Sequence, residues 1–311
     1  MSKIKDGIYG FAIGDAIGVP IEFEDRKKLI EKPVTKMLGY GSYDVPDGVW
    51  SDDTAMTLAT MDSISEKKTI DYNDIAEKFC QWLNESKYTA TDEVFDIGIT
   101  TKYALMRFWD DKSDATKCGG CSFNENGNGS LMRMLPIAFY CFYKKLNDEQ
   151  ILETVNKCSS ITHAHPISIL GCYIYVRYLM FLLNGKDKYA SYSMIKCIDY
   201  SSFDEETLNY YSKILNGNIQ LEKLDDIKST GFIVDTLEAV LWVILNCTNY
   251  NQSIIGAINL GGDTDTIGAI TGSIAGILYG YEQIQLKWIE SLKSKDKLDY
   301  YISNFENIEN V

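Results

Sequence analysis

Histidine and proline are scarce in this chain, basic runs are missing, and alternating apolar patterns are nearly absent. Two histidines in 311 residues are too few for a centre built from His-Asp metal dyads. Five prolines, set against 45% apolar and 12% aromatic residues, exclude a disordered or linker-rich chain. Thirty Lys and Arg face 44 Asp and Glu, a net charge of −14, and no Lys/Arg run is interleaved with aromatics. A nucleic-acid-binding surface is therefore not expected. The same acidity means that a phosphate-bearing ligand would be held by metal ions, helix N-termini and backbone amides.

Other absences narrow the setting. Met1 to Asp6 leads straight into a patterned helix without the apolar core and small-residue cleavage site of a secretory signal, so a cytoplasmic address is expected. No span with membrane-type flanks is expected either: the apolar run Ile167 to Leu183 carries Arg177 near its centre. An arginine there costs about 2.5–3.5 kcal/mol on insertion scales, and a buried core helix explains the run more simply. Cys118-Gly119-Gly120-Cys121 lacks the second cysteine pair or the histidines of a zinc site. Cys141, Cys172, Cys197 and Cys247 lie in apolar stretches and read as small hydrophobes.

What is present is helical spacing. Apolar residues recur with a period near 3.6 through most of the chain, which predicts an all-α, single-domain fold spanning residues 1–311. The pattern predicts helices at 3–17, 54–66, 71–86, 93–109, 129–143, 148–159, 166–183, 203–215, 232–247, 251–260, 264–279 and 282–303. Residues 19–50, punctuated by Pro20, Pro33 and Pro46, and residues 110–128 read as irregular. Gly268, Gly272, Gly276 and Gly280 form a four-residue repeat inside one of these helices. Each interior glycine costs about 0.5–1 kcal/mol relative to alanine, so close packing against a neighbour is the expected return.

Chemistry concentrates in two acidic clusters, Ser51-Asp52-Asp53-Thr54 and Gly262-Asp263-Thr264-Asp265-Thr266, each opening a helix. Taken singly, Ser, Thr and Asp at a helix start are N-caps. Taken together, adjacent carboxylates repel, and several converging on one place call for a cation. Hard oxygen donors with interleaved hydroxyls suit Mg²⁺, Mn²⁺ or Ca²⁺ over zinc or copper. Gly261-Gly262 before the second cluster allows tight turns and close approach. Three further stretches stand out. Gly10 to Phe23 combines small residues with Asp15, read as a capping or packing partner, and Glu22, placed on a loop where a base can project. Gly127 to Pro136 runs from a glycine-rich loop into a helix, a geometry that offers backbone amides to an anion. Thr162-His163-Ala164-His165 precedes the apolar helix, where capping by Thr162 or His163 is the plain reading.

In combination these motifs resemble the ADP-ribosylglycohydrolase family. The likeness runs through Gly14-Asp15 to Glu22, Trp50 to Met56, Phe95 to Gly98, Gly127 to Arg133, Thr162-His163, Gly231 to Ala239 and Asn259 to Gly268, nearly the whole chain. It implies a monomeric orthogonal helical bundle with a central cleft holding two Mg²⁺ or Mn²⁺ ions. By motif position the ligands would be Ser51, Asp52, Asp53, Asp263, Asp265 and Thr266; Ser51 stands where the family often has threonine and keeps the hydroxyl. Glu22 would act as general base or as a metal-linked switch, with Asp52 and Asp265 in the catalytic set. Gly127, Asn128, Gly129 and Ser130 would cradle the diphosphate, His163 would touch the ligand, and Asp96 and Gly98 would line the acceptor side. Asp235 fits a structural role at a helix start as well as direct contact.

The implied activity is hydrolysis of the bond between the anomeric carbon of ADP-ribose and an acceptor, a protein side chain such as Arg or Ser or a small conjugate, releasing ADP-ribose. Two other classes remain in view. One is a silent ADP-ribose-binding or structural member of the fold, which retention of every acidic position disfavours. The other is a metal-dependent nucleotide phosphohydrolase, disfavoured by the missing His-Asp dyads.

Overall fold

The computed structural model describes residues 2–111 and 114–310. Among them the regular secondary structure is almost all helix: α1 (Lys3–Gly18), α2 (Arg26–Glu31), α3 (Asp52–Lys67), α4 (Tyr72–Glu85), α5 (Ile99–Asp111), α6 (Leu135–Tyr143), α7 (Asp148–Ser160) and α8 (Pro166–Leu183). The second half adds α9 (Lys188–Ile195), α10 (Glu205–Tyr210), α11 (Ser212–Leu215), α12 (Ile233–Asn246), α13 (Tyr250–Ile258), α14 (Thr264–Tyr279), α15 (Leu286–Ser291) and α16 (Lys295–Phe305). Strand pairing among these residues is limited to the isolated bridges Gly120 to His163 and Gly127 to Phe232. The all-α expectation holds.

One contact organises the bundle. α1 and α14 run antiparallel with glycine set against glycine, so that a Cβ on Gly10 would lie 2.2 Å from the Gly272 carbonyl oxygen and one on Gly14 would lie 2.0 Å from that of Gly268. The reverse also holds: a Cβ on Gly272 would sit 2.1 Å from the Gly10 oxygen, and one on Gly276 2.1 Å from that of Asp6. Real Cβ atoms do not approach so closely, and two helices can meet this way only where both carry small residues in register. The predicted ridge on α14 therefore exists, with α1 as its partner. Gly280 is not part of it; at φ +87 it closes the helix.

The apolar run forms α8, buried along most of its length and packed against α6, α7, α9 and α12. Arg177 pairs with Asp148 at 2.9 Å and with the Tyr173 hydroxyl at 2.8 Å, while its guanidinium lies over the Tyr173 and Phe181 rings.

Several boundaries differ from the sequence pattern, each for a local reason. Residues 93–98 are not helical: Asp96 takes φ +56, a left-handed conformation that a helix cannot absorb. The predicted 129–143 helix is a 3₁₀ segment, Asn128–Arg133, followed by α6, the break falling just before Pro136, which supplies no amide proton and constrains its neighbour. The 282–303 span splits into α15 and α16 around Ser294, at φ +44, whose hydroxyl bonds the Ala90 carbonyl. The predicted 203–215 helix breaks at Tyr211 into α10 and α11. Two short helices escape the pattern, α2, capped by Asp25, and α9, capped by Asp187. Both are short of the window in which a 3.6 period becomes visible.

Replacing Gly272 by alanine is expected to destabilise the fold by about 3 kcal/mol, because neither backbone can move away from the new methyl without unpacking the pair. Gly256→Ala, inside α13 where the methyl meets only ordinary contacts at 3.4 Å and beyond, is expected to change stability by no more than about 1 kcal/mol, on the stabilising side. Urea unfolding of the two variants makes the comparison.

Candidate active site and metal centre

The α1–α14 contact carries the acidic groups to one place. Gly18 ends α1 against Thr264, whose hydroxyl donates to the Gly18 carbonyl at 2.9 Å. A single 3₁₀ turn, Val19–Ile21, then delivers Glu22. The next residues are stapled to the second cluster: the Phe23 amide donates to the Gly262 carbonyl at 2.7 Å and the Gly262 amide to that of Glu24 at 3.0 Å. Gly261 and Gly262 both take φ +71, and a Cβ on Gly262 would lie 2.1 Å from the Ser229 oxygen, so the glycine pair is a steric requirement of this turn. Arg26 completes the clamp with bonds to the carbonyls of Leu260 and Leu224 and to the Ser229 hydroxyl.

The first cluster arrives from the other side, on α3. Its N-terminus is capped twice, by Ser51, whose hydroxyl accepts from the Asp53 amide, and by Asp15 of α1. The Asp15 carboxylate accepts from the Ser51 amide at 2.9 Å, the Thr54 amide at 3.1 Å and the Thr54 hydroxyl at 2.6 Å. With capping done by these residues, Asp52 and Asp53 are left over. At the second cluster Asp263 occupies the cap position of α14 and makes no capping bond. Its carboxylate instead receives the Asn128 side-chain amide at 2.7 Å.

The two clusters touch: the Thr266 hydroxyl donates to Asp53 at 3.2 Å, across 213 positions of sequence. Carboxylate oxygens of Asp15, Asp53 and Asp265 lie within 4.8 Å of one another, as do those of Glu22, Asp263 and Asp265. Asp265 is common to both triads. Burial, followed by repulsion from Asp96, Asp53, Asp15 and Glu22, holds the Asp52 carboxyl well above its ordinary range. Burial acts first on Asp53 and Asp265 as well, and again the charged neighbours that reinforce it are acidic. Burial also raises Asp263, and pushes Asp15 to about 7. Glu22 is pushed up to about 9 by burial and then by Asp96. Asp53 Oδ1, Asp265 Oδ2 and Glu22 Oε2 are buried without a hydrogen-bond partner. An all-oxygen donor set that is buried, mutually repulsive and incompletely hydrogen-bonded fits a hard divalent cation.

Above the acids opens a cleft of about 280 Å³, lined by Glu22, Phe23, Asp52, Asp96, Gly98, Ile99, Thr100, Thr101, Gly127, Asn128, Gly129, Met132, His163, Gly231, Asp263 and Thr266. Most of the residues singled out in the sequence therefore meet here. Ser51, Asp53 and Asp265 lie in the acidic floor and do not line the cleft. Ser130 is turned into the core, its hydroxyl between Ser159 and Cys172. The Asn128 amide is taken by the Gly231 carbonyl at 2.9 Å and its side chain by Asp263 and Thr236, so this loop offers the cleft less than its sequence suggests. Asp235 bonds the Thr230 hydroxyl at its own helix start.

His163 supplies what the loop lacks. Arg133 donates to the Thr162 hydroxyl at 2.6 Å, and that hydroxyl lies 2.8 Å from His163 Nδ1. The arrangement that uses every donor sends the hydroxyl proton to Nδ1 and leaves the ring proton on Nε2, beside Gly127 and Gly129. Burial and then Arg133 depress His163 to about 3, so the ring is a neutral N–H donor on the cleft wall.

Asp15, read in the sequence as a capping or packing partner, caps a helix remote in sequence. A residue missed in the sequence is Tyr43, whose hydroxyl lies within hydrogen-bonding reach of Glu22 and Asp96 while its ring packs on Phe95 at 4.9 Å. Next to the cleft, sharing Gly127 and Gly231 with it, runs a groove of about 410 Å³ between Phe123 and Phe232. Tyr210 and His165 extend this aromatic cluster.

A family model described as ADP-ribosylglycohydrolase matches residues 1–309. The chain is similar to an ADP-ribosylarginine hydrolase of Serratia proteamaculans (strain 568), 31% identical over 96% of this chain and 77% of that protein. It is likewise similar to the ADP-ribosyl-[dinitrogen reductase] glycohydrolase of Rhodospirillum rubrum, 29% identical over 92% of this chain and 88% of the relative. A solved structure titled ADP-ribosylglycohydrolase-related protein complex shares the fold, with a TM-score of 0.82 at 23% identity over 99% of this chain and 98% of its own.

Mg²⁺ or Mn²⁺ is expected to raise the melting temperature, with stabilisation of about 4 kcal/mol once the ion exceeds its dissociation constant a thousandfold. Asp53→Asn removes one charge from the repulsive floor. Calorimetry in EDTA should find this variant at least as stable as the parent, and addition of the ion should then shift it little.

Proposed function

The chain belongs to the ADP-ribosylglycohydrolase family, and from that premise we propose that it hydrolyses the glycosidic bond between ADP-ribose and an arginine side chain of a protein, with divalent cations at the acidic floor. The observation that carries the reading is the buried set Glu22, Asp52, Asp53, Asp263 and Asp265, with oxygens left unpartnered beneath an open cleft. Arginine is preferred among acceptors because the Serratia relative is named an ADP-ribosylarginine hydrolase.

Asp53, Asp263 and Asp265, with Asp52, Ser51 and Thr266, are the residues assigned to hold Mg²⁺ or Mn²⁺, and the two triads sharing Asp265 favour two ions. Bound there, the cations would neutralise the carboxylates and orient a water and the ribose hydroxyls. The protein's own groups do the rest. Glu22, beside Asp263 and Asp265 and ionised where bound cations would offset its burial and acidic neighbours, takes the proton of the attacking water while the water oxygen bonds the anomeric carbon. The carbon–nitrogen bond breaks, the guanidino nitrogen takes up a proton from solvent as it leaves, Glu22 returns the proton it took to solvent, and free ADP-ribose and arginine result. Asp52 and Asp96, on the cleft wall, oppose the positive charge that develops on the ribosyl ring.

The diphosphate lies along Gly127 and Gly129, where His163 Nε2–H is a donor that adds no charge. The adenine follows into the groove between Phe123 and Phe232, whose rings stand 6.5 Å apart at 48° and present apolar faces to a purine. The cytoplasmic setting expected from the sequence is retained in this proposal, and eight free cysteines suit it.

Two measurements test the reading. Release of ADP-ribose from ADP-ribosyl-arginine, in Mg²⁺ and against ADP-ribosyl-serine, is expected to favour arginine, and Asp52→Asn is expected to lower kcat by at least about a hundredfold. Full turnover by Asp52→Asn in EDTA would refute the mechanism. Phe232→Ala should raise KM about tenfold with little change in kcat, since the groove holds a part of the substrate remote from the reacting bond.

A further inference from the structure

α5 has two apolar faces. Thr101, Ala104, Leu105 and Phe108 point into the protein. On the opposite side, Ile99 is 76% exposed, Tyr103 55% and Met106 49%, at positions i, i+4 and i+7. A surface helix ordinarily turns polar residues outward. Single exposed apolar residues are common, but three in helical register make a patch that asks for a partner.

Its position says which partner. Ile99 is the first residue of α5 and lines the cleft mouth. Phe23 lines it too, 72% exposed and held at φ +64 by the bond from its amide to Gly262. A phenylalanine in left-handed backbone is a strained choice, and it keeps this ring at the entrance to the site instead of folding into the core. With ADP-ribose seated in the cleft as proposed, the acceptor side chain leaves by a rim that Phe23 and Ile99 line, and the outer face of α5 continues from Ile99 through Tyr103 and Met106.

Resting on the proposed hydrolase function, we propose that Phe23 and the Ile99-Tyr103-Met106 face form a docking platform for the acceptor polypeptide, selecting substrates with apolar residues beside the modified arginine. Free ADP-ribosyl-arginine reaches Phe23 and Ile99 but not Tyr103 and Met106, which do not line the cleft, and is indifferent to these two. The platform thus acts on KM for polypeptide substrates, by contacts made equally before and during bond cleavage.

The test uses three probes on the full chain with Mg²⁺: free ADP-ribosyl-arginine, a peptide with ADP-ribosyl-arginine flanked by Leu and Phe, and the same peptide flanked by Ser and Gly. The parent protein is expected to show about tenfold lower KM for the Leu/Phe peptide than for the Ser/Gly peptide. Tyr103→Ser combined with Met106→Ser should equalise the two peptides and leave free ADP-ribosyl-arginine unchanged, whereas Leu286→Ser, an exposed leucine elsewhere, should change nothing. Equal KM values in the parent, or an equal loss on all three probes in the double variant, would overturn the platform. Fluorescence anisotropy of labelled peptides reads the same preference without turnover. A preference for apolar flanks without hydrolysis would overturn the proposed activity and keep the platform; no preference would overturn the platform alone.

Discussion

The glycine-to-glycine contact of α1 with α14 is the constraint on which the site depends. With carbonyl oxygens of one helix filling the Cβ positions of the other, the pair admits very little slip along its length. Fixed in register, the C-terminal end of α1 meets the N-terminal end of α14, and Glu22 is set beside Asp263 and Asp265. Asp15, one residue beyond Gly14, is by the same register aimed at the start of α3. A helix pair that costs stability at every glycine thus secures the position of groups from three elements.

Capping and charge are separated in this arrangement. At α3 the cap duties fall to Ser51 and to Asp15 from another helix, and at α14 Asp263 occupies the cap position without performing the bond. The acids are consequently free to face one another in a buried floor, an arrangement unfavourable for folding on its own and suited to positive charge. The cleft wall follows a different rule. His163 and the glycine loop present dipoles without net charge, which in the proposed reading receive the diphosphate without a basic residue that would compete for the acids.

Much of this was legible in the sequence because it was written in short contiguous strings. The two acidic clusters, the glycine pair before the second, and the Gly127 loop all announce themselves within a few residues, and α8 and α14 begin and end where their periodicity does. What stayed hidden depends on pairing across distance. Asp15 reads as a capping or packing partner, but which helix it caps shows only once α3 is packed against it, and the core's hold on the Ser130 hydroxyl is equally invisible in the string. Residues 93–98 carry a helical pattern that Asp96 overrides with one left-handed residue, and Phe123 and Phe232 face each other only because the Gly127–Phe232 bridge brings their loops together.

The partners α1 and α14 are also far apart in the order of synthesis. Thr264 bonds Gly18 across 246 positions, so α1 is made long before the helix that covers its glycine face. Until then Asp15, Glu22, Asp52 and Asp53 are held on a nascent chain that lacks Asp263 and Asp265, and neither triad can form. Closure over so long a loop is slow and comes late in folding. The scaffold's first helix is thus made well before the residues that complete the acidic floor, which separates the birth of the scaffold from the birth of the site.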